Sequence, residues 1–223
     1  MDKRDAILVM LKQQGLMPLY FHADETVSID VMNALYKAGV RLIEYTNRGK
    51  EALKNFTAMK KIAAREHSDL FLGAGTIKDA SSANRFLEAG ADFLISPALA
   101  GDVFDVTYSN KVLWIPGCMT PTEILTAEQF GLSLVKLFPG NILGPSYVQA
   151  IKDLFPSMQF MPTGGVEKST ENLKSWFDAG VCAVGMGSKL IDNEILKQRA
   201  YSTITTEAKA VLEKIKLVKV KSE

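Results

Sequence analysis

The chain has 223 residues, 47% of them hydrophobic and 23% charged, an ordinary balance for a folded globular protein. A net charge of +1 supplies no pull toward nucleic acid or an anionic membrane surface, so neither is expected as a partner. No stretch approaches the ~18 apolar residues of a membrane span.

The first fifteen residues, MDKRDAILVMLKQQG, place acidic residues on both sides of a basic pair and contain no small-residue cleavage site. They read as an amphipathic helix over 1–15 rather than a signal peptide, and the cytoplasm is the expected location. Eight short apolar runs follow: 17–21, 41–45, 70–75, 93–96, 112–116, 134–138, 159–163 and 182–186. Between them lie helix-like segments, among them Ser28–Ala38, Glu51–Arg65, Ala80–Ala89, Thr122–Phe130, Tyr147–Leu154 and Thr170–Ala179. Gly39, Gly90, Gly131 and Gly180 each stand between the end of a helix and the next strand, where a left-handed backbone favours glycine. Strands alternating with helices predict parallel βαβ units. Eight such units at this length predict a (β/α)₈ TIM barrel, one domain over 1–223, with a doubly wound open sheet as the alternative. The basic stretch 212–223, LEKIKLVKVKSE, is expected to be a solvated last helix with a ragged end. Cys118 and Cys182 have no metal-ligand spacing and are expected to be reduced core thiols.

Strands covered on both faces should be continuously apolar, so a charge inside one is informative. Side chains alternate along a strand, so residues of like parity share a face. In the sixth run Leu134, Lys136 and Phe138 share a face; in the second, Leu42, Glu44 and Thr46 do, with Arg48 just beyond. Lys136 and Glu44 therefore fall at corresponding depths near the C-terminal ends of two strands, where barrel active sites lie. A buried structural ion pair would give the same pattern. The functional alternative is an amine that attacks a carbonyl to form a Schiff base, with a carboxylate moving the protons.

The last two loops add a second feature. Thr163-Gly164-Gly165 follows the seventh run, and Gly185, Gly187 and Ser188 end or follow the eighth. Loops after strands seven and eight commonly hold phosphate on backbone N–H groups, which glycine lets approach closely. GAGT at 73–76 brings Thr76 to the mouth, where a plain turn is the competing explanation, and His22 reads as a surface residue.

Glu44-x-Thr46-x-Arg48, GAGT at 73–76, ISP at 95–97, PG at 116–117, VKLFP at 135–139, PTGG at 162–165 and GS at 187–188 occur in this order. The set resembles the 2-keto-3-deoxy-6-phosphogluconate (KDPG) and 4-hydroxy-2-oxoglutarate (KHG) aldolase family, from about Gly15 to about Leu190. The resemblance implies a class I aldolase without metal or cofactor, usually a homotrimer, that takes a small 2-keto acid. It implies Lys136 as the Schiff-base lysine and Glu44 as the acid/base. Arg48 and Thr76 would hold the pyruvate carboxylate, Pro97 and Phe138 would line its pocket, and Thr163 would join them on the substrate. Gly164, Gly165, Gly187 and Ser188 would hold phosphate. The chain departs from many members at Tyr20, Phe21, Tyr45, Asn47, Ala98 and Gly140-Asn141, which affects the aldehyde side. The expected reaction is cleavage of KDPG to pyruvate and glyceraldehyde 3-phosphate. The alternatives are KHG cleavage, the 6-phosphogalactonate epimer, and a non-catalytic sugar-phosphate-binding barrel.

Overall fold

The computed structural model describes residues 2–220. Helix α1 (Lys3–Gln14) leads into β1 (Leu16–Tyr20), α2 (Glu25–Lys37), β2 (Leu42–Thr46), α3 (Ala52–Glu66), β3 (Phe71–Gly75), α4 (Ala80–Glu88) and β4 (Phe93–Ile95). Then come α5 (Gly101–Ser109), β5 (Leu113–Ile115), β6 (Gly117–Cys118), α6 (Pro121–Gln129), β7 (Leu134–Leu137), α7 (Gly140–Ile151) and β8 (Gln159–Pro162). The chain continues through α8 (Thr170–Ala179), β9 (Val184–Met186), α9 (Asn193–Lys197) and α10 (Tyr201–Val220). Helix starts are set by side chains that accept from the first turn: Asp24, Asp79, Ser169 and Asp192, and a capping box of Thr120 and Glu123. Gly39, Gly90, Gly131 and Gly180 all adopt positive φ, as their places after helices require.

Every paired strand is parallel. They form a six-stranded sheet, β5-β4-β3-β2-β1-β9, and a three-stranded sheet, β6-β7-β8. Among the described residues the strands thus number nine rather than the eight expected from sequence, in a curled, open parallel arrangement. The extra strand arises just past Pro116, which has no N–H and ends the fifth run: β5 lies within that run, paired with β4, and β6 follows it, paired with β7. At the other junction a single bridge joins Thr163 to Gly185, and the Cys182 N–H donates to the Phe160 carbonyl at 3.0 Å.

Two apolar cores follow from the alternation. The larger lies between sheet and helices. The smaller is built from one face of the strands: Met17, Leu42, Phe93, Ile95, Leu113, Ile115, Leu134, Met161 and Ala183. Ile7 and Leu11 of α1 complete it, so the N-terminal helix closes the floor beneath the strands. The buried Asp92 carboxylate holds that helix by accepting from Lys3 at 2.7 Å, and it also binds Lys60 at 2.6 Å and the Leu72 N–H at 2.7 Å.

Three further expectations change. The helix expected at Tyr147–Leu154 starts earlier, at Gly140, breaks at Gly144-Pro145, and ends in a 3₁₀ turn over Lys152–Leu154. Residues 212–220 are helical as expected, forming the second half of α10, but they are not wholly solvated: Ile215 and Val218 are buried. The Ile204, Ala208, Val211, Ile215, Val218 stripe has helical spacing and packs on α2 and α8. Residues 221–223 of that stretch lie outside the described residues. His22 is half-buried, and its backbone carbonyl is a hydrogen-bonding hub rather than a solvated surface group.

Both cysteines are free thiols, Cys118 fully buried and Cys182 partly exposed. Burial, with Glu123 nearby, pushes the Cys118 thiol up to about 12, and burial pushes Cys182 up to about 11. Raised folded values mean the folded chain keeps protons that the unfolded chain releases above ~8.5, so this contribution to stability is lost as pH rises toward 11–12. A disulfide-exchange reagent at pH 8 should titrate neither thiol in the folded protein and both in denaturant. Rapid labelling of either in the folded state would contradict this.

Candidate active site

The face of β2 that carries Leu42 into the floor carries Glu44 one layer above it, and the matching face of β7 carries Leu134 and then Lys136. Both charged groups are buried, Glu44 at 1% and Lys136 at 5% exposure. Lys136 Nζ lies 4.0 Å from Glu44 Oε2. That is the limit of an ion pair and too long for a hydrogen bond. Among the described residues neither Glu44 oxygen has a hydrogen-bond partner. A pair kept only for structure should be tightly and fully hydrogen-bonded, because burying two charges is otherwise costly. This one has unsatisfied acceptors and a free amine edge.

Small residues make room for these groups. A Cβ on Gly75 would overlap the Glu44 carboxylate, and one on Gly185 would overlap the Thr163 hydroxyl. Thr163 is buried and its Oγ1, like that of buried Thr46, has no partner among the described residues. Phe138 sets its ring 5.1 Å from Lys136 Nζ. Thr76, directly after β3, has φ +60, a conformation that β-branched residues rarely hold. Such strain gathers at functional positions.

A cavity of about 330 Å³ opens near the strand ends. Its lining unites Arg48, Phe138, Thr163, Gly164, Gly165, Gly187 and Ser188 from the sequence-derived set. Lys136, Glu44, Thr76 and half-buried Pro97 lie outside this lining. Gly164 and Gly165 have φ of +91 and +71, and a Cβ on Gly165 would come within 2.7 Å of the Asn141 Cα. The loop after β8 is thus fitted against the start of α7, an arrangement sealed by the Gly140 N–H bonded to the Thr163 carbonyl at 2.8 Å. Phe21, noted in the sequence as a bulky departure, also lines the cavity, and sequence reasoning missed Lys189, Asn193 and Leu196 beside it. Lys189 directly follows Gly187-Ser188 and was the one with a local signal; it pairs with Glu167 at 3.3 Å. Among the described residues no group of three or more His, Cys, Asp or Glu side chains could hold a metal ion, and no helix is long and apolar enough to cross a membrane.

A buried amine facing a buried carboxylate in a parallel α/β fold suits the imine chemistry of a lyase of the class I aldolase kind. Comparison with known proteins agrees. The sequence pattern of KDPG and KHG aldolases matches residues 7–207. The KHG/KDPG aldolase of Escherichia coli (strain K12) is 31% identical over 192 residues, covering 85% of this chain and 87% of that protein. The KDPG aldolase of Legionella pneumophila, captured with pyruvate as a covalent carbinolamine, has a TM-score of 0.84 at 25% identity, covering 92% of this chain and 97% of that one. The 2-keto-3-deoxy-6-phosphogluconate aldolase of Zymomonas mobilis ZM4, solved with 3-phosphoglycerate, has a TM-score of 0.81 at 26% identity, covering 93% and 94%. The chain belongs to the KDPG/KHG aldolase family.

Proposed function

We propose that the protein cleaves 2-keto-3-deoxy-6-phosphogluconate to pyruvate and glyceraldehyde 3-phosphate through a Schiff base on Lys136. The observation that carries this is the buried 4.0 Å Lys136–Glu44 pair, in a fold whose cavity near the strand ends is lined by Phe138, Arg48, Gly164, Gly165, Gly187 and Ser188. The Lys136 amine adds to the C2 ketone and expels water, giving a cationic imine. The C3–C4 bond breaks as Glu44 takes the C4 hydroxyl proton, and its electron pair flows into the imine to give an enamine. The aldehyde leaves, the enamine is protonated at C3 by Glu44, and hydrolysis frees pyruvate and the amine. Arg48 offers a planar fork suited to a carboxylate, with Thr76 beside it and Pro97, Phe138 and Thr163 around the pyruvate half. Support comes from the pyruvate adduct of the Legionella relative and from the phosphorylated three-carbon acid bound to the Zymomonas relative.

The same proposal includes a single domain, a homotrimer and a cytoplasmic location. It also includes ring closure of the strands. The Thr163–Gly185 bridge and the continuous chain through Pro116 would join the two sheets at both seams.

The test is steady-state kinetics on KDPG, its 6-phosphogalactonate epimer and KHG. The highest kcat/KM is expected on KDPG; a clear preference for either other substrate overturns the substrate assignment. The double name of the Escherichia coli relative makes KHG the second candidate. The phosphate end has its own check. Ser188→Ala should lower kcat/KM for KDPG by about 10–100-fold, the loss expected for one charge-assisted hydrogen bond, and Gly165→Ala should lower it by distorting the loop, because φ is +71 and a Cβ would come within 2.7 Å of the Asn141 Cα. Pyruvate trapping should be retained. Equal activity of the variants on KDPG would remove phosphate from these loops.

A further inference from the structure

We propose that Phe21 sets selectivity for the aldehyde half of the substrate, and that Tyr45, Ser28 and Asn55 act as positioning residues for it. This rests on the aldolase function proposed above. Phe21 follows β1 directly and lines the cavity between Arg48 and the glycine loops. Its ring occupies the space that Gly49, the residue after Arg48, leaves open: a Cβ on Gly49 would come within 2.6 Å of Phe21 Cζ. On its other side the ring leans on Tyr45, with centroids 5.9 Å apart. The wall is apolar and gives a substrate hydroxyl nothing to bond.

The residue after Phe21 is held with unusual density. The His22 carbonyl accepts from the Tyr45 hydroxyl at 2.8 Å and from Asn55 Nδ2 at 3.0 Å, with Ser28 Oγ in reach at 3.1 Å. Asn55 also bonds the Ala23 carbonyl at 3.0 Å, and Ser28 Oγ sits 2.9 Å from the Tyr45 hydroxyl. Tyr45, Ser28 and Asn55 are at most 1% exposed. Three buried polar side chains from β2, α2 and α3 thus converge on one turn. Such a network is high-stakes in a low-dielectric core, and when satisfied it specifies a single conformation. Strand β2 then has two duties on alternate residues: Glu44 faces the Lys136 side, and Tyr45 faces the helices and braces the wall.

Two substitutions move the wall in opposite directions. Phe21→Val removes it, and Gly49→Ala pushes the ring from behind while leaving it in place. The substrates are the six-carbon 6-phospho acid and its seven-carbon 7-phospho homologue, and the readout is the ratio of kcat/KM. Phe21→Val should shift the ratio at least about tenfold toward the longer substrate, the usual effect of one methylene in an apolar pocket. Gly49→Ala should shift it toward the shorter one. Tyr45→Phe, which frees the turn but keeps the ring, should act like Phe21→Val more weakly. Borohydride trapping of pyruvate should persist in all three, which separates selectivity from loss of fold or of the imine. Ratios unchanged in both Phe21→Val and Gly49→Ala, with trapping intact, overturn the role of Phe21. Absence of a pyruvate adduct in the unaltered protein overturns the aldolase function and this inference together.

Discussion

Lys136→Met should abolish turnover and the pyruvate adduct while leaving a folded protein. Lysine and methionine have similar length, so the apolar surroundings of residue 136 should accept the change with little rearrangement. The loss reaches two terms. Removing one member of a buried pair can destabilise by about 3–5 kcal/mol, because the other charge is left buried alone. Here Glu44 is already without a hydrogen bond, and the pair sits at 4.0 Å, so the drop should fall at the lower end of that range. The catalytic loss belongs to another scale. Without a nucleophile no imine forms, and a drop of at least about 10⁴-fold is expected, equal to roughly 5.4 kcal/mol of barrier. Mass spectrometry after pyruvate and borohydride, run beside thermal melting, separates the two. A variant that melts far earlier yet still traps pyruvate elsewhere would make Lys136 a structural residue and sink the mechanism.

Glu44→Gln is the second large effect. The amide keeps the shape of the carboxylate, so the layer above the floor should pack as before. It cannot accept the C4 hydroxyl proton, and removal of a positioned acid/base lowers rates by about 10²–10⁴-fold. Imine formation with pyruvate should survive in part, so the decisive comparison is retro-aldol turnover against trapping. Gly75→Ala should reproduce the defect without touching a titratable group, because its methyl would occupy the space of the Glu44 carboxylate. Normal turnover in Glu44→Gln would shift the proton work to another group. Normal turnover in Gly75→Ala would mean that the position of Glu44 has more slack than the packing suggests.

Much of this was legible in the sequence because parallel strands with both faces covered are apolar throughout. Each of the eight runs contains a strand or most of one, and the charged exceptions, Lys136 and Glu44, lie close together as their parity implied. What stayed hidden has physical reasons. Pro116 looks like the end of a strand, yet the chain goes on pairing beyond it with a different neighbour. The buried stripe of α10 is diluted by lysines on the outward side of the same helix. Phe21 stood out only for its bulk, and Leu196 not at all, because an apolar residue is indistinguishable from core until the cavity is visible. Ser28 and Asn55 sit on helices where polar residues usually meet water, and only tertiary packing turns them inward.

The stoppered floor has a kinetic consequence. Ile7 and Leu11 close the end of the strands away from the cavity, with α1 tied down at Asp92. Among the described residues, α1 therefore covers that end of the strands, and in the proposed reaction the half of the substrate nearer solvent would go out before the half bound deeper. With pyruvate tethered to Lys136 and the aldehyde between it and the exit, products would then depart in a fixed sequence. In the direction of synthesis the keto acid would have to enter first, so the proposed reaction would be an ordered one.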